Sequence, residues 1–228
     1  MAAVLQVVIH STNVPSVRVV GSKYSGLEVN LGTAMKQLKI SVVIALITCL
    51  FTQSAYANEL AIWDKLKTNN AKGYVLLLRH ALAPGSGDPA NFNLNDCSTQ
   101  RNLSDQGRAD AKDIGIWLKS KQIKIHRVES SRWCRAKETA KLIAIGKVRL
   151  NKNLDSLFNA PDPVKHPQTA AIRKQIVNHR NQDGLLVMVG HFVNIGAIVG
   201  SGVDSGEGVV VRANAKGEIK IVGSSPAP

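Results

Sequence analysis

Two short uninterrupted apolar runs stand out along the chain: Tyr74-Val75-Leu76-Leu77-Leu78, preceded by Gly73, and Leu185-Leu186-Val187-Met188-Val189, closed by Gly190. Runs of this length without alternation are expected of strands covered on both faces. Between them the period changes to that of a helix. Leu103-Ser104-Asp105-Gln106-Gly107 leads into Ala109, Ala111, Ile114, Trp117 and Leu118, and residues 135–145 place Ala136, Ala140, Leu142 and Ile143 on one side. Residues 123–128 and 147–150 predict further strands, 167–180 a helix with Pro167 in its first turn, and 191–199 another helix. Residues 208–212 and 218–222 flank Ala213 to Gly217 as a terminal hairpin. Strands alternating with helices predict an α/β fold, a three-layer α/β/α sandwich around a mostly parallel central sheet.

Upstream of this region the pattern is different. Met35-Lys36-Gln37-Leu38-Lys39 precedes an apolar run from Ile40 to Phe51, and the stretch ends in Ala55-Tyr56-Ala57. A basic start, about a dozen apolar residues and small side chains before Asn58 describe a signal peptide over 35–57. The run is shorter than the roughly 18–20 residues a membrane span needs. Lipidation at Cys49 fits poorly, because bulky Thr48 precedes it and apolar residues continue past it. Residues 1–34 then form an extension ahead of a complete signal, with Met35 as the expected initiator. The remaining stretch, 58–228, is expected to be one periplasmic or secreted domain with no stable membrane anchor after cleavage.

The chain of 228 residues carries 29 Lys+Arg against 16 Asp+Glu, a net charge of +13. With Arg18, Lys23, Lys36, Lys39 and Glu28 removed, 171 residues keep 25 basic and 15 acidic groups, a net +10. An anionic partner is therefore expected. Aromatic residues make up only 4%, too few for the stacking platforms of single-strand binders, so nucleic acid is not the expected partner. Two cysteines remain after cleavage, Cys97 and Cys134, and in an oxidising compartment they are expected to be bridged.

In an open parallel sheet, ligands gather beyond the carboxyl ends of the strands. Both apolar runs end in chemistry there: Arg79-His80 after the first, His191 after the second. Taken with Ser130-Ser131-Arg132-Trp133-Cys134-Arg135-Ala136-Lys137-Glu138-Thr139-Ala140, and in this order, Arg79-His80-Ala81 and Gly190-His191 resemble the histidine phosphatase superfamily, the phosphoglycerate mutase-like fold. Residues 103–111 are similar to its helix entry, so the resemblance covers nearly all of 70–212. Ala81 stands where the family has glycine, and Glu138 where it has glutamine.

The resemblance implies a phosphomonoester hydrolase with His80 as nucleophile, Arg79 and Arg135 as phosphate ligands and His191 as a donor to the transferring phosphoryl group, with neither cofactor nor metal. The residue types suit that chemistry. Planar guanidinium groups hold phosphate oxygens bidentately, a neutral imidazole can attack phosphorus, and a second imidazole can stabilise the charge that develops. For the proton donor the family uses a carboxyl group either after the second motif or after the second histidine. Phe192 excludes the latter, leaving Asp155 and Glu207 as candidates. The expected substrate is phosphorylated, with a surface glycan or a protein suiting an open site. The alternative is a non-catalytic phosphate-binding member of the same fold, suggested by Ala81 and by the unassigned acid.

Overall fold

The computed structural model describes residues 62–68 and 71–225, together with two short strands, Ser16–Arg18 and Glu28–Asn30, paired antiparallel. The chain divides into two units, Met1–Ala57 and Asn58–Pro228. The expected signal peptide, and most of the extension before it, lie outside the described residues.

The second unit is built on a six-stranded sheet: β1 (Tyr74–Arg79), β2 (Ile125–Ser130), β3 (Val148–Leu150), β4 (Leu185–Gly190), β5 (Gly208–Ala213) and β6 (Ile219–Ser225), in the order β3-β2-β4-β1-β5-β6. The pairs β2·β3, β2·β4 and β1·β4 are parallel, whereas β5 joins β1 antiparallel and β6 extends that edge as a hairpin. The sheet is mostly parallel with an antiparallel margin.

Among the described residues, four longer helices pack on this sheet: α1 (Asp105–Ser120), α2 (Cys134–Ile143), α3 (Pro167–His179) and α4 (Phe192–Val199). Successive strand residues point to opposite faces, and the two hydrophobic cores follow that alternation. Leu76, Leu78, Val187 and Val189 pack with Ile114 and Leu118 of α1 and with Ala136, Ala140 and Ile143 of α2. Val75, Leu77, Leu186 and Met188 pack on the other side with Ile172 and Ile176 of α3 and with Ile195 and Ile198 of α4. This alternation yields the three layers. Ala109, placed on the buried face by sequence, is exposed; the buried stripe of α1 runs through Gly107, Ala111, Ile114, Gly115 and Leu118.

One element has no counterpart in the sequence reading: a helical turn at 62–66, too short to show a period. It buries Ile62, Trp63 and Leu66. Trp63 meets Trp117 edge-on, with centroids 4.7 Å apart, and its Nε1 donates to the Ser224 carbonyl at 3.0 Å.

The start of α1 shows why the 103–111 segment has its composition. Ser104 is the N-cap and accepts from the Gly107 amide at 3.0 Å. A side chain at Gly107 would meet the Leu82 carbonyl oxygen at 2.1 Å, so only glycine lets the helix approach the segment that follows His80.

Cys97 and Cys134 form the expected disulfide, with Cα atoms 5.7 Å apart and a sequence separation of 37. Gln100 reinforces it: its Oε1 accepts from the Cys134 amide at 2.9 Å while its Nε2 donates to the carbonyls of Asn93 and Leu94. Loop 93–100 is thereby tied to the first turn of α2. The chain-entropy model assigns a loop of this length roughly 3–4 kcal/mol. Reduction is expected to lower the melting temperature and to loosen the first turn of α2, which carries Arg135. Thermal melts with and without reductant check this; an unchanged midpoint would contradict it.

Candidate active site

β1 and β4 lie side by side and parallel, so their carboxyl ends deliver Arg79-His80 and His191 to one rim. The His80 amide donates to the Gly190 carbonyl at 3.0 Å, continuing the ladder by one residue. The two imidazoles are buried, 2% and 3% exposed, with ring centroids 5.3 Å apart. The first turn of α2 brings Arg135, itself 2% exposed, to the same place. These residues line a cavity of about 150 Å³ together with Arg101, Gly85, Ser86, Gly87, Ser156 and Phe192. The glycine-rich turn at residues 85–87 thus forms one wall of the pocket.

The surroundings of His80 fix both its tautomer and its charge. Its Nδ1 lies 2.8 Å from the Ala81 carbonyl oxygen. A carbonyl only accepts, so Nδ1 carries the proton and Nε2 keeps the lone pair. Burial, aided by the charges of Arg135, Arg79 and Arg101 and opposed by the Ala81 hydrogen bond, pushes the imidazole down to about 3. Hence His80 is neutral over the physiological range. His191 is also held well below the usual histidine range, chiefly by burial and then by His80 and the arginine charges. Its Nε2 pairs with Ser131 Oγ at 2.9 Å, and its buried Nδ1 has no partner.

The methyl group of Ala81 does not crowd the nucleophile. It is fully buried in a small cluster with Ala83, Leu103 and Ala111, and the Ala81 amide donates to Thr139 Oγ1 at 3.0 Å.

The arginines present unspent donors. The Nε atoms of Arg79 and Arg135 are buried without partners. Arg79 Nη1 donates to the Val203 carbonyl at 3.0 Å, and its guanidinium lies 5.3 Å from the Phe192 ring centroid. Arg101, which no sequence motif marks, donates from Nε to the Gly87 carbonyl at 2.9 Å and from Nη1 to the Ala83 carbonyl. It braces the loop that follows His80 and adds a third cation. Burial, followed by the charge of Arg135, depresses Arg101; burial likewise leads for Arg79. A buried cluster of cations with orphaned donors is stabilised by an anion that fills it.

The carboxylate candidates are placed elsewhere. Asp155 is buried, but its oxygens accept from the Arg132 amide at 2.9 Å and from Arg132 Nε at 2.7 Å, holding the entry to α2. The neighbouring Ser156 lines the pocket in its stead. Glu207 accepts on Oε2 from the Asp204 amide at 2.9 Å and so closes its own turn, while its carbonyl accepts from the Arg79 amide at 2.9 Å. Neither belongs to the pocket wall. Asp88, in the glycine-rich stretch at residues 85–89, is the carboxylate that pairs with a residue of the site: it lies 2.5 Å from Arg135 Nη1 and accepts from Trp133 Nε1 at 2.8 Å.

The structure of a candidate phosphohistidine phosphatase SixA from Nakamurella multipartitia is similar to this chain at TM-score 0.50 and 16% identity, covering 70% of this chain and 99% of that one. The chain has the histidine phosphatase fold. A protein histidine phosphatase SixA solved with tungstate is 15% identical, at TM-score 0.48 over 68% of this chain and 97% of its own. A mycobacterial glucosyl-3-phosphoglycerate phosphatase solved with inorganic phosphate is 16% identical, at TM-score 0.49 over 66% and 94%. No family model matches the sequence, and no curated protein matches it.

Within this histidine phosphatase fold the depressed imidazoles predict acid sensitivity. His80 titrates near 3 when folded against 6.5 when unfolded, so below pH 6.5 the unfolded chain binds more protons and stability falls with pH. Stability is full above about pH 6.5 and is lost progressively toward pH 3. Melting temperatures at pH 7 and pH 5 are expected to differ more for the wild type than for His80→Ala. An equal drop in both would contradict the buried neutral imidazole.

Proposed function

We propose that this chain is a phosphomonoester hydrolase that works through a phosphohistidine at His80. The observation that carries the reading is the tautomer imposed on His80, with Nδ1 committed to the Ala81 carbonyl and Nε2 free beside three guanidinium groups. Arg79, Arg101 and Arg135 hold the phosphoryl oxygens. Nε2 attacks phosphorus in line, the P–O bond to the alcohol breaks, and the leaving oxygen departs with its electron pair and takes up a proton from solvent. Water then attacks the phosphohistidine, releasing phosphate and restoring the imidazole. As charge builds on the equatorial oxygens, His191 and the arginine donors stabilise it without reorganising. The arginines supply the charge that a metal ion would otherwise bring, so the reaction is metal-independent.

The domain acts outside the cytoplasm, after cleavage of the 35–57 signal peptide, in the periplasm or as a secreted protein. The Cys97–Cys134 bridge supports that placement, since such bonds persist in oxidising compartments. The open pocket suits a phosphate carried on a surface glycan or a protein.

A non-catalytic phosphate binder is the second reading, favoured by one observation: Asp155 and Glu207 are engaged away from the pocket wall. An aryl phosphate decides between the two, because its good leaving group departs without a proton donor. Turnover that falls steeply as the leaving-group pKa rises is expected. Phosphate binding without any turnover of the aryl ester would overturn the hydrolase reading.

A further inference from the structure

A second cavity, of about 230 Å³, adjoins the phosphate pocket, and Ser156 and Phe158 line both. Asp88, Trp133, Asn159, His166 and Gln168 contribute its other polar and aromatic groups, and no lysine or arginine lines it. The two compartments therefore differ in charge. The first holds three guanidinium groups and no carboxylate; the second holds a carboxylate and an imidazole, His166, but no lysine or arginine. A phosphomonoester seated on the arginines would extend its alcohol portion toward this second space.

Asp88 stands at the border. Its Oδ1 lies 2.5 Å from Arg135 Nη1 and its Oδ2 3.5 Å from Nη2, while Oδ2 also accepts from Trp133 Nε1 at 2.8 Å. Burial favours the neutral acid, but the Arg135 and Trp133 hydrogen bonds and the Arg135 and Arg101 charges outweigh it and hold the carboxyl below its usual range. Asp88 is thus an anion at neutral pH, not a proton donor. It cancels one of the three arginine charges, and a phosphate dianion cancels the other two. Asp204 and Glu207 add negative potential on the Arg79 side. Once the phosphoryl group is bound, none of the three arginine charges is left over for a second anionic group.

We propose that the site selects phosphomonoesters whose alcohol portion is uncharged, with Asp88 as the residue that turns away a second anionic group. The proposal rests on the phosphomonoester reading and adds the class of alcohol. A carboxylate on the substrate would face the Asp88 carboxylate across a partly buried space, where like charges repel more strongly than in water. Polar uncharged groups would find hydrogen-bonding partners there at no such cost.

A matched pair of ligands tests this. Glycerol 3-phosphate and 3-phosphoglycerate share a carbon skeleton and differ by a hydroxymethyl group in place of a carboxylate. Titration calorimetry on the purified protein is expected to show glycerol 3-phosphate binding at least about tenfold tighter. Asp88→Asn keeps an acceptor for Trp133 and removes the charge, so the preference should fall to about threefold or less. Raising the salt concentration should narrow the wild-type preference, a readout that does not depend on the variant folding. Equal or tighter binding of 3-phosphoglycerate, failure of both esters to bind at millimolar concentration, or a preference unchanged in Asp88→Asn would each overturn the proposal. Failure of aryl phosphate turnover sinks the hydrolase reading but leaves this binding ratio measurable, so the two can fail separately.

Discussion

Replacing His80 with alanine is expected to lower aryl phosphate hydrolysis by about 10³-fold or more, on the scale seen when a catalytic nucleophile is removed. Every other group of the site stays. Arg79 and Arg135 retain their orphaned Nε donors and His191 its contact with Ser131, so phosphate should still bind. The fold should survive, because the strand that delivers His80 is anchored by Leu76, Leu77 and Leu78 in the two cores. The imidazole also makes no side-chain bond to another element, only one to the adjacent Ala81 carbonyl. Turnover near the wild-type rate in a folded His80→Ala protein would remove the nucleophile from the account.

Arg135→Lys is expected to reduce kcat/KM by about tenfold or more, corresponding to at least roughly 1.4 kcal/mol of transition-state binding. The wild-type fork serves two directions at once, with Nη1 and Nη2 on Asp88 and Nε buried without a partner. A lysine keeps the charge but gathers its donors at one point. It can satisfy the Asp88 carboxylate or a phosphoryl oxygen, and not both with the same geometry. Steady-state kinetics with an aryl phosphate check this, alongside inorganic phosphate as a competitive inhibitor, whose affinity should fall too. Unchanged kcat/KM would mean that Arg135 is a structural partner of Asp88 and not a phosphate ligand.

Much of the fold is legible in the sequence because its signals are local. The runs at Tyr74 to Leu78 and Leu185 to Val189 lack alternation since both faces of β1 and β4 are covered, and the helix stripes follow from one-sided packing. The antiparallel seat of β5 against β1 is a different matter. The hairpin at 208–225 is a local signal, but its partner strand lies more than 120 residues upstream, and no local pattern encodes that choice. The same distinction separates the site residues. Arg79, His80, Arg135 and His191 fall within recognisable motifs, and the structure brings them to one cavity.

Arg101 reaches that cavity, and Asp88 its border through Arg135, by tertiary proximity alone. Asp88 sits in a Gly-Ser-Gly-Asp-Pro stretch that reads as a turn, and its partner Arg135 is 47 residues away. Arg101 is unremarkable in sequence and is aimed by carbonyls of the loop it braces. The signal that could have pointed to Asp88 is charge arithmetic, since buried arginines this close together call for compensating anions. Asp155 and Ser156 are neighbours, and a shift of one residue decides which side chain faces the pocket. The structure gives that position to Ser156 and turns Asp155 onto Arg132.

The most direct test is to trap the intermediate. Rapid acid-free denaturation during turnover, followed by peptide mass spectrometry under alkaline conditions, should find a phosphoryl group on the peptide containing His80. The label should be lost on acid treatment and absent from His80→Ala. A phosphoryl group on another residue, or turnover through a chain that never carries phosphate, would contradict the phosphohistidine at His80.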